Sequence, residues 1–437
     1  MTSRISFSRH DVRKALAIRA RRGPVAVVLD MRESGLGIAR SLGRKGIPVV
    51  GLDFPGRYAP GLQSRYCLPF LSPHPERESQ PLLDFLVKLA EVLPERTVLY
   101  PASEPYVRFV SRFRRELEAH FLFAIPSRDI IDSVWDKRKQ YDLARRVGVP
   151  YPETWSLENM DQLKEARDQI EYPAFIKPCY SKGAWNERYA DVKGFEVRNQ
   201  EELTGLWRRL SAENLRVFVQ SIVRGPDSNV FEAWVYMSKD GVPLSTFVTR
   251  KLRQYPVMFG NATCMVSVHD EEVLRFALKF FRGIDYRGLG FIEIKKDDRD
   301  GKSKLIELNP RLSMQNILAT HAGLNFPLIQ YMDLTGSPIG QRGDYKDGAK
   351  WLDTTNDLLA FIALFRCGRL SVGSWFRSIS DIACHAFFAH DDLKPFLGQY
   401  AHRLVRVPRY LIRRLSMERS IPSGPTCDVA ELFERSP

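Results

Sequence analysis

The sequence predicts an α/β protein. An N-terminal doubly wound parallel βα domain leads into a larger β-rich unit, and a mostly helical C-terminal extension follows. Three observations support this. Short apolar runs alternate with helical stretches over residues 25–134. Beyond residue 135 strands dominate, and they end in a hairpin, Phe291–Lys296 and Lys304–Leu308. After residue 337 the pattern breaks into short helical pieces and prolines.

In chain order, Val25-Ala-Val-Val-Leu29 is a short buried strand, and Gly35–Arg44 is a turn into a helix. Ile47–Leu52, Thr97–Tyr100 and Phe121–Ile125 are further strands, with helices near 81–92 and 104–119. The glycines at 35 and 37 leave two readings open, a dinucleotide turn or plain βα packing. Arg40 occupies the place of a third glycine, and Asp53 stands where a ribose acceptor could sit. Packing is the better supported of the two. One long helix is expected from Ser127 to Arg146, stopped by Gly148 and Pro150. Tyr172–Pro178, Arg216–Gln220, Phe231–Met237 and Leu244–Thr249 read as strands, and 200–210 and 270–282 as helices. These patterns divide the chain into a basic segment 1–24, a Rossmann-like domain 25–134, a domain 135–336 and an accessory region 337–437.

The 437 residues are 44% hydrophobic and 27% charged, which excludes collagen-like and wholly disordered classes. Six cysteines with no CxxC pair make neither a disulfide framework nor a zinc site. The run Val25–Leu29 is too short for a signal sequence and Leu358–Phe365 too short for a span. A reducing, cytoplasmic compartment is therefore expected. The net charge of +13 is concentrated: residues 1–24 carry +6 and residues 401–419 carry +5. Basic tails can simply aid solubility, or they can meet a polyanionic substrate or an anionic membrane surface, the last of which would place the protein peripherally on the inner face of the cytoplasmic membrane. Nucleic acid is not expected, since no RRM, KH or zinc-finger pattern is present.

The hairpin is the strongest chemical signal. Glu293 and Glu307 each sit mid-strand among Ile292, Ile294, Ile306 and Leu308. An odd-length loop centred on Asp300 makes Glu293 face Glu307, whereas a two-residue turn at Asp300-Gly301 pairs Glu293 with Leu308. Facing carboxylates in an apolar setting repel, and a hard dication would relieve them. With Asn309 on the same face, the oxygen donors suit Mg²⁺. The bland alternative is a solvated hairpin paired to Lys295 and Lys304. Lys177, at the end of an apolar strand, is either a snorkelling lysine or one that meets phosphate. Lys137 by itself reads as a surface lysine. His321 reads first as a helix-packing residue and second as one facing substrate.

Taken in order, Asp136-Lys137, Gly148–Pro152, Phe175–Pro178, Val217–Gly225, Phe291–Lys295 and Ile306–Arg311 resemble the ATP-grasp superfamily, over about residues 135–336. The pattern is similar to carboxylate–amine ligases and, more distantly, to D-aspartate ligases of cell-wall synthesis. The resemblance implies a two-subdomain ATP-grasp fold, with subdomains over about 135–219 and 220–336, ATP, and Mg²⁺ with Mn²⁺ as an alternative. It implies that Lys137 and Lys177 hold phosphates. Gln220, Ser221, Ile222 and Val223 would form the adenine hinge, Asp227 would bind ribose and Ile306 would pack on adenine. Glu293, Glu307 and Asn309 become metal ligands, and Arg311, Lys251 and Arg250 basic groups at the transferring phosphoryl. Two departures stand out: the hinge carries Gln220 where Glu is common, and the loop after Lys177 is poor in glycine. The implied partners are a carboxylate and an amine, small-molecule or peptide, with self-association left open. Competing readings are a nucleotide-cofactor oxidoreductase using Gly35 and Gly37, and a non-catalytic ATP-binding scaffold.

Overall fold

The computed structural model describes residues 24–93, 97–180, 184–189, 192–339 and 344–404. The N-terminal basic segment and the basic stretch after 404 fall outside the described residues.

The first sheet is wholly parallel, in the order β3-β2-β1-β4-β5. Its strands are β1 (Ala26–Leu29), β2 (Val49–Asp53), β3 (Leu68–Leu71), β4 (Thr97–Pro101) and β5 (Phe121–Leu122). Both faces are covered, so β1, β2 and β4 read as unbroken apolar runs. Val27, Leu29, Leu52 and Leu99 pack under the helices Ser79–Val92 and Glu104–Arg112. Ala26, Val28, Val49 and Val98 face the helix Glu33–Gly43 and the rest of the chain.

The second sheet is antiparallel, in the order β6-β9-β7-β8, with β6 (Thr154–Ser156), β7 (Ala174–Pro178), β8 (Phe195–Val197) and β9 (Val217–Ser221). The third has seven strands in the order β14-β13-β10-β11-β12-β15-β16. They are β10 (Val230–Met237), β11 (Pro243–Tyr255), β12 (Asn261–Ser267), β13 (Gly288–Lys296), β14 (Ser303–Asn309), β15 (Lys350–Leu352) and β16 (Ile382–His385).

Alternation along these strands divides the third sheet's two faces. Ala233, Val235, Val248, Ile292, Ile294 and Leu308 share a core with the helix Glu271–Gly283. On the other face Trp234, Phe247 and Phe291 are buried against the N-terminal part. Farther along that face the side chains turn polar, and the cleft lies there.

Three expectations are corrected. The single helix over 127–146 is two, Arg128–Trp135 and Lys137–Arg146, because Asp136 leaves helical geometry and its carboxylate accepts from the Arg138 N–H at 3.1 Å. The stretch 104–119 likewise breaks at Phe113. Helices predominate among the described residues after 337, as expected, but the region is not a separate tail. It supplies β15 and β16, and Asp392 holds the buried Arg40 guanidinium at 3.0 Å.

Candidate functional site

The hairpin brings Glu293 and Glu307 face to face, by a route that neither simple turn provides. The loop closes with the Asp297 N–H donating to the Lys302 carbonyl at 3.0 Å, and near it Lys295 pairs with Lys304. The register then shifts by one residue, and Ile306 is left over as a bulge. The Ile306 carbonyl accepts the Tyr141 hydroxyl at 2.8 Å. Beyond the bulge Glu293 faces Glu307, and Phe291 faces Asn309. Lys304 is held by Asp297 at 2.7 Å, away from both glutamates.

Each glutamate has an ammonium partner. The helix break at Asp136 makes Lys137 the first residue of its helix, and Lys137 Nζ lies 3.2 Å from Glu307 Oε1. Gln140, one turn on, accepts from the Leu308 N–H at 2.9 Å and fixes the helix to β14. Lys251 Nζ donates to Glu293 Oε2 at 3.0 Å. Burial opposes ionisation of Glu307, but the charges of Lys137 and Lys193 outweigh it and hold the carboxyl at about 2. Burial also works against Lys137 and Lys251, and the facing glutamates nevertheless raise both.

Lys177 Nζ donates to Gln220 Oε1 at 2.8 Å, and among the described residues it has no carboxylate ion pair of its own. Burial, then the like charge of Lys137, lowers it to about 7. Gln220 Nε2 in turn donates to Thr154 at 3.0 Å, and the Ser221 N–H donates to the Glu153 carbonyl at 2.9 Å. Asp227 accepts from Gln254 at 2.8 Å, and burial raises its pKa. Phe175 stacks on Phe259 at 4.2 Å between ring centroids, joining the second sheet to the turn between β11 and β12.

A cavity of about 1930 Å³ collects Lys137, Glu293, Glu307, Asn309 and Arg311 on its walls. Lys177, Lys251, Gln220, Ser221, Ile222, Val223, Asp227 and Ile306 are not on those walls. Arg311 lies 3.5 Å from Glu104 and 5.7 Å from the Phe291 ring, so it links the hairpin to the N-terminal part. Arg250 is a correction. It is exposed and pairs across to Phe231, on the face opposite Lys251, because adjacent strand residues point to opposite sides. His321 is also exposed and off the walls.

Sequence reasoning missed two wall residues. Glu232 lies opposite Glu293, is fully buried, and is raised to about 7 by burial and by the Glu293 charge. Its signal, a carboxylate inside Phe231-Glu-Ala-Trp-Val, was the same one that marked the hairpin. Lys193, which burial lowers, gave no such signal. The Gly35/Gly37 turn is filled. A Cβ on Gly37 would strike the Asn316 amide, and one on Gly35 the Asp30 carbonyl. Asp53 is taken by Arg57 at 2.5 Å. The packing reading therefore accounts for these glycines.

No family model matches the chain. It is 23% identical over 245 residues to a D-aspartate ligase of Enterococcus faecium (strain Aus0004), covering 53% of this chain and 57% of that protein. The chain thus spans little more than half the length of that relative. Among solved structures, an N5-carboxyaminoimidazole ribonucleotide synthetase in its ADP complex superposes with a TM-score of 0.58 at 16% identity, covering 74% of this chain and 80% of that one. An L-amino acid ligase from Bacillus licheniformis gives 0.56 at 14%, covering 76% and 79%. The fold is the ATP-grasp fold.

Proposed function

We propose that this protein is an ATP- and Mg²⁺-dependent ligase that activates a carboxylate as an acyl phosphate and joins it to an amine. The observation that supports it best is the facing Glu293–Glu307 pair on the cavity wall, each backed by a lysine. The donor set fits the metal: two carboxylates and the buried Asn309 amide are hard oxygen ligands. Bound there, Mg²⁺ would neutralise phosphate charge.

In this reading Lys137, Lys177 and Lys193 offset the remaining negative charge of the triphosphate. Lys251 holds Glu293 in place. Arg311 supports charge on the moving phosphoryl group. The γ-phosphoryl passes to the substrate carboxylate oxygen and ADP leaves. The amine nitrogen then attacks the acyl carbon, phosphate leaves, and the amine gives up a proton. Asp227 and the hinge Gln220–Val223 would receive ribose and adenine once the Lys177–Gln220 bond opens.

The test is ADP and phosphate release with Mg²⁺ across a panel of carboxylates and amines. D-Aspartate leads that panel because of the relative above, followed by other amino acids, peptides and wall precursors. The proposal expects release that needs both a carboxylate and an amine. Nucleotide binding without turnover on any pair would instead favour an ATP-binding module.

A further inference from the structure

A second surface, on the C-terminal helices, has no part in the ligase reading. The helix Thr354–Arg366 buries Asp357 and Ala360 but turns Leu358, Ile362 and Phe365 outward, one stripe at helical spacing. Next to it the helix Val372–Ser378 leaves Val372 and Phe376 outside. Phe365 is 52% exposed and Phe376 58%, far beyond what a core aromatic shows. Ring contacts make this one patch: Phe365 meets Phe361 at 5.6 Å, Phe361 stacks on Trp375 at 4.6 Å, and Trp375 meets Phe376 at 5.0 Å. The second helix is fastened by polar bonds instead, from Trp375 Nε1 to Asp357 at 2.9 Å and from Arg253 to Ser378 at 2.7 Å. Its apolar side chains are therefore free to face outward.

Charge identifies what covers the patch. Residues 358–380 contain Arg366, Arg369 and Arg377 and no acidic residue. The chain beyond 404 is basic first, with Arg406, Arg409, Arg413, Arg414 and Arg419 against Glu418, and acidic at its end, with Asp428, Glu431 and Glu434 against Arg435. Folding the basic stretch 405–419 back onto the patch would set like charges together, and so would pairing the patch with a second copy of itself; cover by the acidic end, residues 428–434, would instead leave the wild type unable to float. A surface that is apolar beneath and anionic on top satisfies both the phenylalanines and the arginines. We propose that the helices Thr354–Arg366 and Val372–Ser378 form a docking face for anionic lipid membranes, with Phe365 and Phe376 entering the headgroup boundary.

The experiment is flotation of the full chain with phosphatidylcholine vesicles, with and without phosphatidylglycerol, at low and high salt. The wild type should float with the anionic vesicles only, and salt should weaken the binding. Phe365→Ser/Phe376→Ser should lower partitioning at least about tenfold. A matching thermal melt would show the double variant folded, since both rings face solvent. Wild-type partitioning in the double variant would place binding in the basic tails and overturn the proposal. So would equal binding to uncharged vesicles, or a wild-type dimer that the double variant converts to monomer.

Discussion

Lys137 Nζ stands 3.2 Å from Glu307 Oε1, in a position set by the helix break at Asp136. In the ligase reading that lysine and the metal share one carboxylate. Glu307→Gln keeps the size of the side chain and removes its charge. It should cut Mg²⁺-dependent ADP formation by about a hundredfold or more. The circular dichroism spectrum should match wild type. Full activity in this variant would remove Glu307 from the site.

Lys177 provides a pH signature. In the free protein it sits at about 7, lowered by burial and by Lys137, against an ordinary 10.5. Triphosphate favours the ammonium form and raises that value in the complex. Between the two values nucleotide binding must take up a proton, so affinity falls as pH rises above about 7, by about tenfold per unit. Calorimetry at about pH 8 in buffers of different ionisation enthalpy should show this uptake. Lys177→Met should abolish it. Uptake unchanged in the variant would assign the proton to another group.

Neighbours on β11 should behave differently. Lys251 is buried and bonded to Glu293, whereas Arg250 is exposed on the other face. Lys251→Met removes the counter-charge of a glutamate on the cavity wall and should cost about tenfold or more in kcat. Arg250→Ala should stay within about 0.5 kcal/mol of wild type in stability and leave turnover unchanged. Steady-state kinetics with a urea melt on both variants separates these outcomes.

The parts of the fold that could be read from sequence were those with a strong local signature. β1 and β2 are fully buried runs and β4 nearly so, and the hairpin combined apolar arms with mid-strand carboxylates. β15 and β16 have three and four residues, too few for a period to show, and β12, on which β15 pairs, is remote in sequence. The break at Asp136 was hidden because the apolar spacing continues through it. The facing glutamates were expected, but the bulge at Ile306 that sets their register, where Tyr141 of another element bonds the free carbonyl, has no local signature. Placing Arg250 beside Lys251 ignored the strand alternation that was applied to Asn309.

Arg40 and Asp392 tie the first helix to the far end of the described chain. The guanidinium is 3% exposed and the carboxylate 1%, with Nε and Oδ2 3.0 Å apart. Asp392 also accepts from the Ser64 hydroxyl at 2.7 Å and the Arg65 N–H at 2.9 Å, and Arg40 donates to the Phe387 carbonyl at 2.8 Å. Asp392→Ala would strand a buried guanidinium, which should destabilise the fold by about 3–5 kcal/mol. Adding Arg40→Met to that variant removes the stranded charge, so part of the loss should return. Urea denaturation of the two single variants and the double variant gives the coupling directly. Additive losses would mean that the two side chains do not depend on one another. A large coupling would make residues 387–392 a structural latch that holds the N-terminal part against the third sheet, and with it Glu104 against Arg311 on the wall of the cleft.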